Sequence, residues 1–198
     1  VKTIWADYFM EAPLHSEDQE IATNSMNVLK RLLVSAEILG VSDIVIPCVD
    51  QSSLDNNDAV KRFVEKINDI IPDIEDKGIN LSLETDLDPK SFLELLNKFN
   101  SKRITVNYDI GNSASLGFDL IEELDTYGNR ITDIHIKDRV LNGGPVVLGE
   151  GNADFKLFFT KLKEFNYKGP FIMQAYRDDE GIEVFKQQYK WISKLIYG

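Results

Sequence analysis

The sequence predicts an α/β fold built as a TIM-type (β/α) barrel, and two observations carry that expectation. Short β-rich runs alternate with amphipathic helical stretches six times, with no low-complexity segment or linker to divide the chain. Such alternation gives a parallel sheet with helices packed against it. The C-terminal ends of successive strands also carry acids, amides and a histidine, and that end of the strands is where a barrel keeps its chemistry. An open doubly wound sheet is the alternative for six strands. It shows continuously apolar strands and a glycine-rich turn after the first one, and this chain shows neither.

Each element has its own signal. Thr3 to Phe9 reads as the first strand, and Ser16 with Gln19 three residues on reads as a capping box opening a helix. That helix presents Ile21, Val28, Leu29, Leu32, Leu33 and Ala36 as its apolar face and ends at Gly40. Asp43 to Ile46 is the second strand. A helix with Val60, Phe63, Val64, Ile67, Ile70 and Ile71 follows, and Pro72 is expected to kink it or end it early. Ile79 to Glu84, Ile104 to Asp109, Ile131 to Lys137 and Pro170 to Tyr176 are the remaining strands. Helices are expected over 89–99, 118–124, 154–165 and 182–196, with a glycine-rich loop from Gly143 to Gly151. The whole of 1–198 is expected to be a single domain.

Composition removes several function classes. The net charge is −11 and Lys and Arg are scattered, which argues against a nucleic-acid partner. No apolar run reaches the roughly 20 residues of a membrane span, and the N-terminus has no signal-peptide pattern. The one cysteine, Cys48, cannot form an internal disulfide, so a reducing cytoplasm is the expected compartment.

Strand periodicity sorts the polar groups onto one side. Leu81 and Leu83 oppose Ser82 and Glu84, Ile104 and Val106 oppose Asn107 and Asp109, and Ile134 and Ile136 oppose Asp133, His135 and Lys137. In the last strand Gln174 shares a side with Ile172. With the apolar sides against the helices, Glu84, Asp109, His135 and Gln174 converge from four strands on one end of the barrel interior. Taken singly, each acid is better explained as a cap or an ion-pair partner, and the histidine as simply hydrogen-bonded. Together, one nitrogen and mainly oxygen donors suit a divalent metal ion, with Mn, Mg, Co and Zn all open. Lys137, Arg139 and the strand-end Asp7 are the candidates for holding a substrate; the glycine loop beside the helix at Asp154 reads first as a flexible loop that must turn tightly, with a phosphate cradle as the alternative.

Four segments resemble a known family. Leu-Ser-Leu-Glu at 81–84, Tyr-Asp-Ile-Gly-Asn at 108–112, Asp-Ile-His-Ile-Lys-Asp-Arg at 133–139 and Leu-Gly-Glu-Gly-Asn-Ala-Asp-Phe at 148–155 carry the likeness. They resemble the sugar-phosphate isomerase/epimerase group of the xylose-isomerase-like barrel superfamily. The resemblance covers nearly the whole chain and is specific for the superfamily, though weak on substrate. It implies that Glu84, Asp109 and His135 are three of four metal ligands and that Glu84 is also a catalytic base. The family's fourth ligand is a glutamate in the last strand that serves as the second acid/base, whereas this chain has Gln174. An amide oxygen can ligate a metal but cannot take a proton. The resemblance also implies an incomplete barrel, about six of eight βα units, with the first strand here matching the family's third. Unpaired strand edges then favour a homo-oligomer.

The function expected is metal-dependent isomerisation or epimerisation of a small sugar or sugar phosphate, by proton abstraction beside a carbonyl through an enediolate. Gln174 tilts the expectation from a two-base epimerase towards a one-base isomerase. It also keeps open a non-catalytic sugar-binding relative. A nuclease like endonuclease IV, on the same barrel, is the remaining rival. It is disfavoured by the net charge and by the presence of only two histidines, His15 and His135.

Overall fold

The structure is a computed structural model that describes residues 1–178 and 181–197. The backbone falls into two compact units, Val1–Asn107 and Tyr108–Gly198. The first holds β1 (Thr3–Trp5), α1 (Tyr8–Glu11), α2 (Gln19–Leu39), β2 (Asp43–Cys48), α3 (Asn57–Lys77), β3 (Asn80–Thr85), α4 (Pro89–Leu96) and most of β4 (Ile104–Asp109). Its strands pair in parallel and in chain order, with Ile4 beside Ile44, Val45 beside Ser82 and Leu83 beside Val106. The side toward the helices is fully apolar: Ile44, Leu81, Leu83, Ile104 and Val106 are all buried. The opposite side is a hydrogen-bonded polar ladder. Asn80 Nδ2 donates to Asp43 Oδ1 at 2.9 Å, and the Ser82 and Thr105 hydroxyls meet at 2.8 Å. Hydrogen bonds between buried polar groups are what make such a polar interior tolerable.

The sequence signals are corrected at three places in this unit. The first strand stops at Trp5, because Phe9 N turns back to Ala6 O and Met10 N to Asp7 O, starting α1 and burying Phe9. The cap of α2 is Asp18, whose Oδ1 accepts from Glu20 N at 2.8 Å and Ile21 N at 3.3 Å. A carboxylate at a helix N-terminus gains from the helix dipole as well as from the hydrogen bonds, so it outcompetes the Ser16 box. The buried face of α2 is accordingly Ala22, Met26, Leu29, Leu33 and Ala36, with Ile21 exposed. Third, α3 does not end at Pro72 but continues through it to Lys77. Pro72 and Asn68 four residues before it are both exposed, so the carbonyl that loses its helical partner there faces water.

The second unit continues from the end of β4 through α5 (Ile110–Leu116), α6 (Leu120–Tyr127), β5 (Ile131–Ile136), β6 (Asp138–Arg139), β7 (Pro145–Val146), α7 (Phe155–Leu162), β8 (Phe171–Met173) and α8 (Ile182–Tyr197). β5 and β8 are parallel, with His135 beside Ile172, while β6 and β7 form a small antiparallel hairpin within the glycine-rich loop. Neither that hairpin nor α5 is signalled by hydrophobic periodicity. α5 has seven residues, is opened by the side chain of Asp109 and is closed by Gly117 at φ +74°. The aromatic core of this unit includes Tyr108 stacked on Phe158 at 5.4 Å and Phe158 edge-on to Phe159 at 5.3 Å.

Candidate metal centre

In the first unit, Glu84 is the penultimate residue of β3 and is buried, with Leu81 and Leu83 turned the other way. Its Oε2 accepts from Asn107 Nδ2 at 2.9 Å. Asn107 stands on the same side of the neighbouring strand β4, so strand register brings the pair together. Asp7 caps α1 by position only: it is exposed and makes no capping hydrogen bond.

In the second unit, Asp109 ends β4 and caps α5, its Oδ1 accepting from Asn112 N at 2.8 Å. Its other oxygen, Oδ2, is buried with no hydrogen-bond partner. Oδ2 lies 3.9 Å from His135 Nδ1 and 3.7 Å from Lys137 Nζ. An orphaned buried carboxylate oxygen beside an imidazole is the donor arrangement a cation satisfies. His135, penultimate in β5, is only 1% exposed. Burial pushes its pKa down to about 4, with Lys137 adding to the fall and Asp109 opposing it. A neutral imidazole is the form that ligates a metal. Glu84, Asp109 and His135 are each buried and each offer one ligand atom.

Lys137 and Arg139 form a second group around Asn112. Lys137 Nζ and Arg139 Nη1 both donate to Asn112 Oδ1, at 3.2 and 2.9 Å, and Arg139 Nε donates to Gly143 O at 3.0 Å. The half-buried cations thus share one neutral acceptor. Gly111 explains how α5 approaches them so closely. A Cβ there would lie 2.8 Å from the Lys137 carbonyl carbon, so only glycine fits. Gln174 lies one residue beyond β8, half-buried, with its backbone N donating to Ile136 O at 3.0 Å. Strand register carries it to the side shared by His135 and Lys137.

Three residues in these arrangements were given no role from the sequence, although Asn107 was placed on the polar side of its strand. Asn107 and Asn112 act through amides, which carry no charge signal; the only cue to Asn112 is its place three residues after a strand-end Asp. The third is Asp138, fully buried, whose Oδ2 accepts from Gly149 N at 2.8 Å and Gly151 N at 2.9 Å, and whose Oδ1 accepts from Ala153 N at 3.1 Å. These are the loop amides that a phosphate would need. An internal carboxylate holds these three amides, so the glycine loop is braced from within and they are not available to a phosphate.

Known proteins resemble this chain over most of its length. It is 26% identical over 197 residues to the putative L-ribulose-5-phosphate 3-epimerase of Haemophilus influenzae, covering 91% of this chain and 68% of the relative. An L-ribulose-5-phosphate 3-epimerase of Escherichia coli is 25% identical over 192 residues, covering 91% and 66%. The chain thus spans about two thirds of the length of these relatives. Among solved structures, the IolI protein with a bound zinc atom superposes with a TM-score of 0.77 at 17% identity, covering 100% of this chain and 77% of that one. A xylose isomerase domain protein from Planctomyces limnophilus gives 0.81 at 19% identity, covering 98% and 77%. The strand–helix order is therefore that of an incomplete TIM-type barrel. With the xylose isomerase-like TIM barrel family model matching residues 5–195, the chain belongs to that family.

Proposed function

We propose that this chain is a metal-dependent isomerase/epimerase of a small sugar or sugar phosphate, working by proton abstraction next to a carbonyl. The observation that carries the reading is Asp109 Oδ2, buried without a hydrogen-bond partner and 3.9 Å from the imidazole of His135. Glu84, Asp109, His135 and the amide oxygen of Gln174 are the proposed ligands of one divalent ion, whose identity among Mn, Mg, Co and Zn the donor set leaves open. Held by these residues, such an ion would supply Lewis acidity toward the substrate's carbonyl oxygen. Glu84 removes the proton at carbon, with Asn107 Nδ2 fixing its carboxylate at 2.9 Å. Lys137 and Arg139, pinned by Asn112, orient the substrate's hydroxyl or phosphate oxygens, with Asp7 as a further hydroxyl contact. The names of the relatives favour epimerisation of a pentulose 5-phosphate. A cytoplasmic, homo-oligomeric enzyme acting on a small molecule, without nucleic acid or membrane, completes the proposal. No helix among the described residues is long and apolar enough to cross a membrane.

Gln174 supports a second reading, a sugar-binding relative without turnover, because an amide cannot serve as the second acid/base. Metal content and turnover separate the two. The enzyme reading expects about one divalent ion per chain after loading, measured by mass spectrometry. It also expects solvent deuterium to enter a pentulose 5-phosphate at the carbon beside its carbonyl. Inversion at that carbon would show that another group supplies the second proton. Sugar binding with no exchange and no inversion, in both the parent and Gln174→Glu, would leave the binding reading standing.

A further inference from the structure

The helix-facing side of the Asp109 segment holds a buried carboxylate that the proposed chemistry does not use. Glu123, on α6, is 2% exposed. Its Oε2 accepts from the Tyr108 hydroxyl at 2.7 Å and from the Ser113 hydroxyl, and its Oε1 accepts from the Tyr127 hydroxyl at 2.8 Å. Tyr108 Oη also lies 3.2 Å from Ser113 Oγ. Burial raises the pKa of Glu123, while these three hydroxyls oppose the rise.

Two of the three donors bracket one residue. Tyr108 immediately precedes Asp109 in β4, and Ser113 lies one helical turn after it in α5, the helix that Asp109 caps. Successive strand side chains point to opposite faces, so Tyr108 turned toward Glu123 sends Asp109 the other way. Ser113 bound to the same oxygen fixes the start of α5 at that junction. The cap bond from Asn112 N to Asp109 Oδ1 then leaves Oδ2 as the oxygen facing His135 and Lys137. A buried acid is costly unless fully hydrogen-bonded, and here the bonds that satisfy it lock both flanks of Asp109.

We propose that Glu123 is a positioning residue for Asp109: through Tyr108 and Ser113 it clamps the β4–α5 junction and aims Oδ2 at the cation. The inference rests on the metal reading above. Tyr127 provides an internal comparison: its hydroxyl donates to Oε1 of the same carboxylate, whereas Tyr108 and Ser113 donate to Oε2.

The test compares Tyr108→Phe, Ser113→Ala and their double variant with Tyr127→Phe, alongside Glu123→Gln. Each is titrated with Co²⁺, followed by its visible absorption, and each is also melted. Partners behind a metal ligand typically change affinity about 10–100-fold. The double variant is expected to weaken Co²⁺ binding by about tenfold or more, and Tyr127→Phe by less than about twofold, even where their melting temperatures fall equally. Equal Co²⁺ affinities in all variants, or the same loss in Tyr127→Phe as in the double variant, would overturn the clamp. If the parent itself takes up no Co²⁺, the metal reading fails. The clamp is then judged from crystal structures of the double variant and the parent. It stands if the Asp109 carboxylate leaves its place beside His135, and it falls if that carboxylate stays.

Discussion

At Asp109 and His135 the chain keeps a carboxylate oxygen that accepts no hydrogen bond and a neutral imidazole in one buried place. That has a consequence for stability. The folded His135 pKa lies near 4, against an ordinary value of 6.5. Between those values the unfolded chain binds a proton that the folded chain does not. Its contribution to stability is therefore full above about pH 6.5 and is lost as pH falls toward 4. Urea unfolding of metal-free protein between pH 7 and 4.5 should show stability falling with acid, and His135→Gln should flatten that fall. His15, buried with a lowered pKa of its own, acts in the same direction, so the difference between parent and variant is the quantity to read. A slope unchanged in His135→Gln would mean the imidazole is not held neutral. Glu84→Gln tests the chemistry at the same scale. It keeps the volume but removes the proposed base, so proton exchange should drop by about 10²–10⁴, the range for one general base, with circular dichroism unchanged. Exchange within a few-fold of the parent would remove Glu84 from the mechanism. Glu84, Asp109 and His135 were legible as candidates in the sequence because strand alternation puts each on the polar side of its strand. The amides were not, because Asn107 and Asn112 matter through the atoms they touch, and a one-dimensional pattern carries no such contacts.

Elements built on hydrophobic periodicity were found from the sequence, and those built on a single capping or turning contact were not. The helix α3 shows where a local rule yields. Pro72 costs one hydrogen bond and introduces a ring that crowds the preceding turn, yet Phe63, Ile67, Ile70 and Ile74 are fully buried along one stripe and hold the helix together across it. Packing energy summed over four such side chains exceeds the roughly 3 kcal/mol of an interior proline. Pro72→Ala should therefore stabilise the protein, by about 1–3 kcal/mol once the lost rigidity of the unfolded chain is subtracted. Urea denaturation checks this, and a destabilised variant would mean that the proline relieves a bend the helix needs. The opposite case is α5, which has only seven residues and no apolar stripe. It exists because Asp109 caps it, Gly111 lets it approach Lys137 and Glu123 holds Ser113. These are tertiary causes that no window of sequence displays.

At the scale of the molecule, the polar interior sets the balance of stability. Glu84, Asp109, Asp133, His135 and Asp138 are all buried, in a chain of net charge −11. Asp138 is compensated by three amides, whereas Asp109 Oδ2 accepts no hydrogen bond and faces the Lys137 ammonium at 3.7 Å. On the proposed reading, a divalent ion bound there would neutralise charge that the fold otherwise carries at a cost, and would stabilise the folded state. Binding only to the folded state at a free concentration 100 times Kd adds about 2.7 kcal/mol. For a domain of this size each kcal/mol moves Tm by about 2–4 °C. Saturating metal should then raise Tm by about 5–10 °C, and EDTA should reverse the rise. Asp109→Asn separates this from general charge screening. The amide removes the charge and supplies its own hydrogens, so the metal-free variant should melt at or above the metal-free parent, while the response to added ion should fall below about 2 °C. Magnesium at matched ionic strength provides the screening baseline if the site prefers a transition metal. A variant that melts well below the parent without metal would show that Asp109 is structural, and a variant that keeps the full metal response would place the ion elsewhere.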